Sequence, residues 1–94
     1  MRISVDISLY PLNENYVEPI LTFIAKLETN PELVIKRNSL STQVFGDYDL
    51  AVSHVMAEIK QVHQSIYLNT GKEGAAVFVC KFINGDRSQV EAES

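Results

Sequence analysis

The 94-residue chain contains a single cysteine, Cys80, no tryptophan and only three prolines. One cysteine cannot form an internal disulfide, and no secretory leader is recognisable, so we expect a protein of the reducing cytoplasm. The chain also lacks an apolar run of the ~20 residues that are needed to span a bilayer. These absences argue against a disulfide-stapled secreted fold and against insertion into a membrane.

Clustered positive charge is lacking as well. The eight lysines and arginines are scattered along the chain, and twelve acidic residues bring the net charge to −4. Proteins that bind the phosphate backbone of nucleic acids usually carry a basic stripe. An RNA-recognition sheet would also need paired aromatic side chains on its central strands, which are missing here. We therefore expect no nucleic-acid partner.

The composition that remains is typical of a globular domain, with 46% hydrophobic and 21% charged residues. A chain of this length buries roughly 60–65% of its unfolded surface, which is enough to fold without disulfides or metals. We interpret residues 1–94 as one domain, in which the tail 87–94 is disordered or bound by a partner.

The first segment alternates apolar and polar side chains with a period of two, from Ile3 to Tyr10. Such alternation predicts a half-buried strand. The strand stops at Pro11, which has no N–H group to donate to a β-ladder. Its odd-numbered face is apolar, and its second face carries Ser4, Asp6, Ser8 and Tyr10.

Two amphipathic helices are predicted from apolar residues that recur at spacings of three and four. The first runs from about Tyr16 to Glu28, after a loop over residues 12–15. The second begins near an N-cap, Asp47 or Asp49, and ends near Tyr67. Its apolar stripe consists of Leu50, Val55, Met56, Ile59, Val62 and Ile66.

Three further strands are predicted, over residues 33–38, 40–46 and 75–83. The first two form a hairpin with its bend near Asn38, and a turn-rich connector over 69–74 precedes the last. The resulting order, β-α-β-β-α-β, predicts an α+β fold of the ferredoxin-like class. It has a four-stranded antiparallel sheet, two helices on one face, and the first and third strands side by side at the centre.

The other face of this sheet is left open. Both faces of the last strand are largely apolar, so whichever faces outward leaves a patch that monomers rarely keep. We therefore expect a second subunit to cover the open face. Asp6 would then be partly desolvated and would need Lys81, Arg37 or a ligand amine as its partner. An antiparallel sheet can also simply face solvent on one side, so the polar face alone does not require a ligand.

Three segments carry recognisable motifs: SLYPLNENYVEPI (8–20), NSLSTQVFGDYD (38–49) and VFVCKFINGDRS (77–88). Together they resemble the family of YkoF-related and thiamine-binding small proteins, and residues 40–49 are the most specific part. The resemblance implies a ferredoxin-like fold that binds thiamine or its hydroxymethylpyrimidine part, without catalysis and without a further cofactor. Some members carry two modules in one chain. A single module therefore implies a homodimer or homotetramer, formed through the open sheet face.

An aminopyrimidine offers ring-nitrogen acceptors and an exocyclic amine, which hydroxyls, amides and a carboxylate can satisfy. Matching of the motifs supplies Ser8, Tyr10, Ser41 and Thr42 as candidate residues. Asn38 is added because it lies at the hairpin. Asp6 is added on chemical grounds, as a partner for the amine or for the thiazolium charge. Ser41 and Thr42 face opposite sides of a strand, so the site uses one of the two. The candidate ligand residues are Asp6, Ser8, Tyr10, Asn38, Ser41 and Thr42.

Other functions of ferredoxin-like chains fit less well. An acyl-phosphate hydrolase needs an arginine in the loop after the first strand, and the loop here, PLNENY, has none. A cofactor-free oxygenase usually needs histidines or tryptophans around an internal cavity. His54 and His63 lie half a turn out of phase on one helix, which also argues against a shared metal ion. A ligand-sensing or purely dimerising regulatory module has the same element order and stays an alternative.

Overall fold

The computed structural model describes residues 1–11, 17–70 and 76–89, and the side chains of residues 1–10, 21–68 and 76–89. The elements follow the predicted order. They are β1 (Arg2–Pro11), α1 (Val17–Leu27), β2 (Val34–Arg37), β3 (Thr42–Asp47), α2 (Tyr48–Thr70) and β4 (Ala76–Asn84).

Some of the predictions lie outside the described residues. These are the loop over 12–15, the helix start at Tyr16, the connector over 71–74 and the end of the tail, 90–94. The beginning of the tail is described, and Ser88 is buried there.

The four strands form one antiparallel sheet in the order β2-β3-β1-β4. The ferredoxin-like α+β class and the central position of the first and third strands are thereby confirmed. In this register Asp6 of β1 lies opposite Gln43 of β3 on one side and opposite Lys81 of β4 on the other.

The core lies between the sheet and the two helices. The odd-numbered residues of β1 are buried there, as the alternation predicted, and Phe23 and Leu27 of α1 pack against them. The side chain of Phe78 extends the core at β4, with its ring centroid 5.1 Å from that of Phe23. One face of the sheet thus packs against the helices, and the even-numbered residues of β1 are directed to the other face.

Helix α2 begins at its cap, because the carboxylate of Asp47 accepts a hydrogen bond from the N–H of Leu50 at 3.2 Å. Of the two predicted caps, Asp47 is therefore the one used. The helix ends at Thr70, beyond the predicted end near Tyr67. In the described part of the chain no helix is both long and apolar enough to cross a membrane.

One predicted member of the apolar stripe of α2 is wrong. Met56 is 52% exposed, whereas Glu58 is buried. Each helical residue is rotated by about 100° from the previous one. Because Val55 points straight into the core, its neighbour Met56 is turned toward solvent. The carboxylate of Glu58, three positions after Val55, falls on the inner side instead.

The two histidines contact different parts of the chain, in agreement with the opposite directions predicted for their side chains. His54 Nε2 lies 3.2 Å from the carbonyl oxygen of Lys26 and 3.3 Å from that of Leu27, at the C-terminal end of α1. His63 Nε2 lies 3.3 Å from the carbonyl oxygen of Ala76. Within the described residues, no group of three or more His, Cys, Asp or Glu side chains is placed to hold a metal ion.

Candidate binding site on the open sheet face

Four polar side chains form a row across the open face, one from each strand. The register places Lys36 of β2 beside Gln43, Gln43 beside Asp6, and Asp6 beside Lys81. All four point away from the helices, because their strand neighbours point into the core. We refer to Lys36, Gln43, Asp6 and Lys81 as the polar row.

Gln43 holds the carboxylate of Asp6 in place. Its Nε2 group donates to Asp6 Oδ1 at 3.1 Å and to the hydroxyl oxygen of Ser41 at 2.9 Å. Both amide protons are thereby used, and the carboxylate is oriented by a neutral donor. Among the described residues Asp6 Oδ2 accepts no hydrogen bond. The site therefore offers a fixed anionic acceptor to a ligand.

An open cavity of about 300 Å³ lies over the polar row. This volume is at the lower end of the range of small-molecule sites. Phe45 borders the cavity and is only 6% exposed, although it lies on the open face and outside the helix-side core. The Lys36 ammonium lies 6.0 Å from the centroid of its ring, at the edge of cation–π range. Besides the polar row, the lining includes Ser4, Phe45, Ile83, Arg87 and Ser88.

The segment that follows β4 crosses one end of the open face, where it forms hydrogen bonds with Ser4 and Lys36. It turns at Gly85, whose φ of +107° favours glycine. Ser4 Oγ donates to the Gly85 carbonyl oxygen and accepts from the N–H of Arg87, both at 2.8 Å. Farther on, the Lys36 ammonium donates to the carbonyl oxygen of Ser88. We call residues 85–89 the crossing segment.

Asp86 fastens the crossing segment to the start of β1. Its carboxylate accepts from the Arg2 guanidinium at 2.9 Å and from the N–H of Ser88 at 2.9 Å. Hydrogen bonds from Ser88, and then from Arg2, lower the pKa of Asp86 to about 2. The carboxylate therefore stays charged, and keeps these bonds, throughout the neutral and mildly acidic range.

Replacement of Ser4 by alanine is expected to lower the free energy of unfolding by about 1–3 kcal/mol, because two partly buried backbone groups lose their partner. Urea denaturation monitored by circular dichroism measures the change. Ser53→Ala is the control, since Ser53 is exposed on α2 and alanine favours a helix there. A Ser4→Ala protein as stable as the wild type would show that Ser4 does not hold the crossing segment.

The structure separates the six predicted ligand residues into three groups. Asp6 lies in the cavity and Ser41 is joined to it through Gln43. Ser8 and Tyr10 lie farther along the same face of β1, opposite Val79 and Val77, and do not line this cavity.

Thr42 and Asn38 lie at the turn between β2 and β3. Thr42 is 8% exposed and lies opposite Ile7, on the helix side. The predicted opposite directions of Ser41 and Thr42 are thus confirmed. Both border a second cavity of about 150 Å³, together with Asn38. The amide oxygen of Asn38 accepts from the N–H groups of Leu40 and Ser41 at 2.8 and 2.9 Å, so it closes the hairpin turn.

The two cations predicted as partners of Asp6 do not pair with it. Arg37 lies opposite Thr42, on the helix side of the sheet, and its Nε is 3.6 Å from Glu28 Oε1. Lys81 lies beside Asp6, but among the described residues the two form no salt bridge within 4.0 Å. Gln43 is the partner instead, because it is the direct cross-strand neighbour on β3.

Gln43 and Phe45 were not predicted as site residues, although the alternation along β3 indicates that they face the same side as Ser41. They share the period-two face of Ser41, which was already assigned to the side of Ser8. The roles of Ser4, Arg87 and Ser88 had no local signal. They depend on a chain reversal that brings residues more than 80 positions apart into hydrogen-bond contact.

Cys80 faces the helix side of β4 and is partly buried. Burial, and secondarily the negative charge of Asp6, raise the pKa of its thiol above the usual value. Because the thiolate is the nucleophilic form, these surroundings suppress reactivity. Cys80 therefore acts as a small packing residue at the edge of the core.

Comparison with known proteins gives structural likenesses only. No family model matches the chain. No curated protein matches it either. Protein SP2199 from Streptococcus pneumoniae superimposes with a TM-score of 0.66 at 18% identity, covering 96% of this chain and 93% of that one.

Two further solved structures share the architecture. A "putative thiamine biosynthesis/salvage protein" from Thermotoga maritima has a TM-score of 0.63 at 16% identity, over 90% of this chain and 85% of that chain. A "domain of unknown function DUF77" from Bacillus cereus has a TM-score of 0.57 at 9% identity, over 92% and 78%. At such identities the likeness shows the fold alone, and the fold is the one described above.

Proposed function

We propose that this protein binds thiamine or its hydroxymethylpyrimidine part as a cytoplasmic homo-oligomer and does not transform it. The observation that carries the proposal is the carboxylate of Asp6, oriented by Gln43 inside an open cavity of about 300 Å³. The sequence motifs described above support it, as does the shared fold of the Thermotoga maritima protein.

The proposed contacts follow from the chemistry of the ligand. The exocyclic amine of the pyrimidine donates to Asp6 Oδ2, while Gln43 holds Oδ1. Ile83, which is half exposed at the cavity wall, packs against the flat ring. In thiamine the thiazolium charge adds a Coulomb attraction to the same carboxylate. The site contains an acceptor and an apolar wall, which are sufficient for recognition.

An apolar stripe beside the cavity supports the homo-oligomer. Val77 and Val79 face outward on β4, both more than 40% exposed, and Tyr10 of β1 lies directly opposite Val77. A contiguous patch of this kind is typical of protein interfaces. A second copy of the chain that covers it would also restrict water at the neighbouring polar row, which strengthens electrostatic contacts to a ligand.

Introduction of a lysine into this stripe is expected to dissociate the oligomer, since burial of an unpaired charge at the contact is costly. Sedimentation equilibrium should show a dimer or tetramer for the wild type and a monomer for Val79→Lys. Leu68→Lys is the control, because Leu68 is exposed on α2, away from the open face. A wild-type protein that is monomeric at high concentration would contradict the oligomer.

Isothermal titration calorimetry with thiamine and with hydroxymethylpyrimidine tests the binding, with cytosine as a control aminopyrimidine. Saturable binding of either of the first two, and recovery of unchanged ligand by chromatography, is the expected result. No heat with either compound from a folded protein would contradict the proposal. It would favour the purely dimerising module, for which the apolar stripe is sufficient reason.

A further inference from the structure

The cavity carries a positive charge that its proposed amine contact does not require. Lys36, Lys81 and Arg87 line it together with one carboxylate, Asp6. This excess of cations occurs in a chain whose net charge is −4. A ligand that uses all of these groups carries an amine for Asp6 and an anion for the surrounding cations.

Lys36 and Lys81 differ in the contacts that their ammonium groups already make. The Lys36 ammonium donates to the carbonyl oxygen of Ser88 and lies at the ring of Phe45. The Lys81 ammonium, by contrast, makes no hydrogen bond or salt bridge with any described residue. Lys81 is exposed and lies at the β4 edge of the polar row, directly beside Asp6. It is therefore the cation best placed to bind an anion.

The spacing of Asp6 and Lys81 restricts where that anion sits on a ligand. Directly opposite residues of neighbouring antiparallel strands have their Cβ atoms about 5 Å apart. In hydroxymethylpyrimidine the exocyclic amine and the hydroxymethyl group are carried by adjacent ring carbons. An anion attached through the hydroxymethyl oxygen therefore lies within one strand spacing of the amine.

We propose that the cavity selects the phosphate monoester of the hydroxymethylpyrimidine over the free alcohol. Asp6 accepts the ring amine, and Lys81 binds the phosphate, in the positive field to which Arg87 and Lys36 contribute. This inference rests on the proposed function and specifies its ligand class. Phosphate offers a larger charge and more acceptor oxygens than any group of the alcohol, so the preference depends on these cations.

Calorimetric titration of the wild type with the alcohol and with its phosphate ester tests this selection. We expect the ester to bind about tenfold more tightly at low salt, an advantage that shrinks at about 0.5 M NaCl because salt screens exposed charges. Lys81→Gln should remove most of the advantage of the ester, because it weakens binding of the ester far more than binding of the alcohol. Lys60→Gln, an exposed lysine of α2 outside the cavity, should change neither affinity.

Each other result has a distinct meaning. Equal affinities for ester and alcohol, or weaker binding of the ester, would overturn the phosphate preference and leave the proposed function in place. An ester advantage that survives Lys81→Gln would overturn the assignment of Lys81. Failure of both compounds to bind would overturn this inference, and the titration with thiamine would then decide whether the proposed function is overturned as well.

Discussion

Asp6→Asn is expected to weaken binding of thiamine or hydroxymethylpyrimidine about 10- to 100-fold. A hydrogen bond to a charged group contributes about 1.5–3 kcal/mol, and asparagine removes the charge while it keeps the shape. The carboxamide oxygen can still accept from Gln43 Nε2, so the local arrangement on the sheet is retained. Calorimetric affinities of the wild type and the variant measure the loss.

Asp49→Asn is the matched control for that change. Asp49 is exposed in the first turn of α2, outside the cavity, so the same chemical substitution should leave the affinity unchanged. Urea denaturation of both variants separates binding from stability. Unchanged ligand affinity in a folded Asp6→Asn protein would move the site away from the polar row, toward the second cavity at Thr42.

Leu27→Ala is expected to cost about 2–5 kcal/mol of the free energy of unfolding, the usual range for truncation of a buried leucine. The Leu27 side chain is completely buried at the last turn of α1, among residues from both helices and the sheet. Domains of this size are stabilised by only about 5–15 kcal/mol. Thermal and urea unfolding should both show a large part of the stability lost.

Leu21→Ala, in the same helix, is the control that separates the effect of burial from the effect of truncating a leucine. Leu21 is 56% exposed, so its truncation is expected to change stability by less than about 0.5 kcal/mol. Equal effects of the two substitutions would contradict the position of α1 over the sheet, since they differ mainly in burial.

The architecture could be predicted because its signals are local and periodic. The alternation from Ile3 to Tyr10 fixes which face of β1 is buried, and the helical stripe does the same for Phe23 and Leu27. Once the element order is known, the handedness of the crossovers leaves few arrangements of the strands. The misplacement of Met56 shows the limit, because hydrophobicity does not distinguish a core position from its neighbour one residue along a helix.

The candidate site was predicted only in part, because it depends on register and on one long-range chain reversal. Alternation placed Asp6 on the open face, but its partner was sought among cations, whereas the register supplies Gln43. The crossing segment accepts a hydrogen bond from the hydroxyl of Ser4 and donates one to it. No pattern within residues 85–89 indicates which part of β1 they contact.

A map of amide chemical shifts in two-dimensional ¹H–¹⁵N NMR spectra during titration with hydroxymethylpyrimidine tests directly whether the ligand binds on the open face of the sheet. We predict that the largest shifts occur at Asp6, Gln43 and Lys81, in the middle of three adjacent strands. Shifts confined to the hairpin around Asn38 and Thr42, or to α2, would contradict a ligand site on the open face of the sheet.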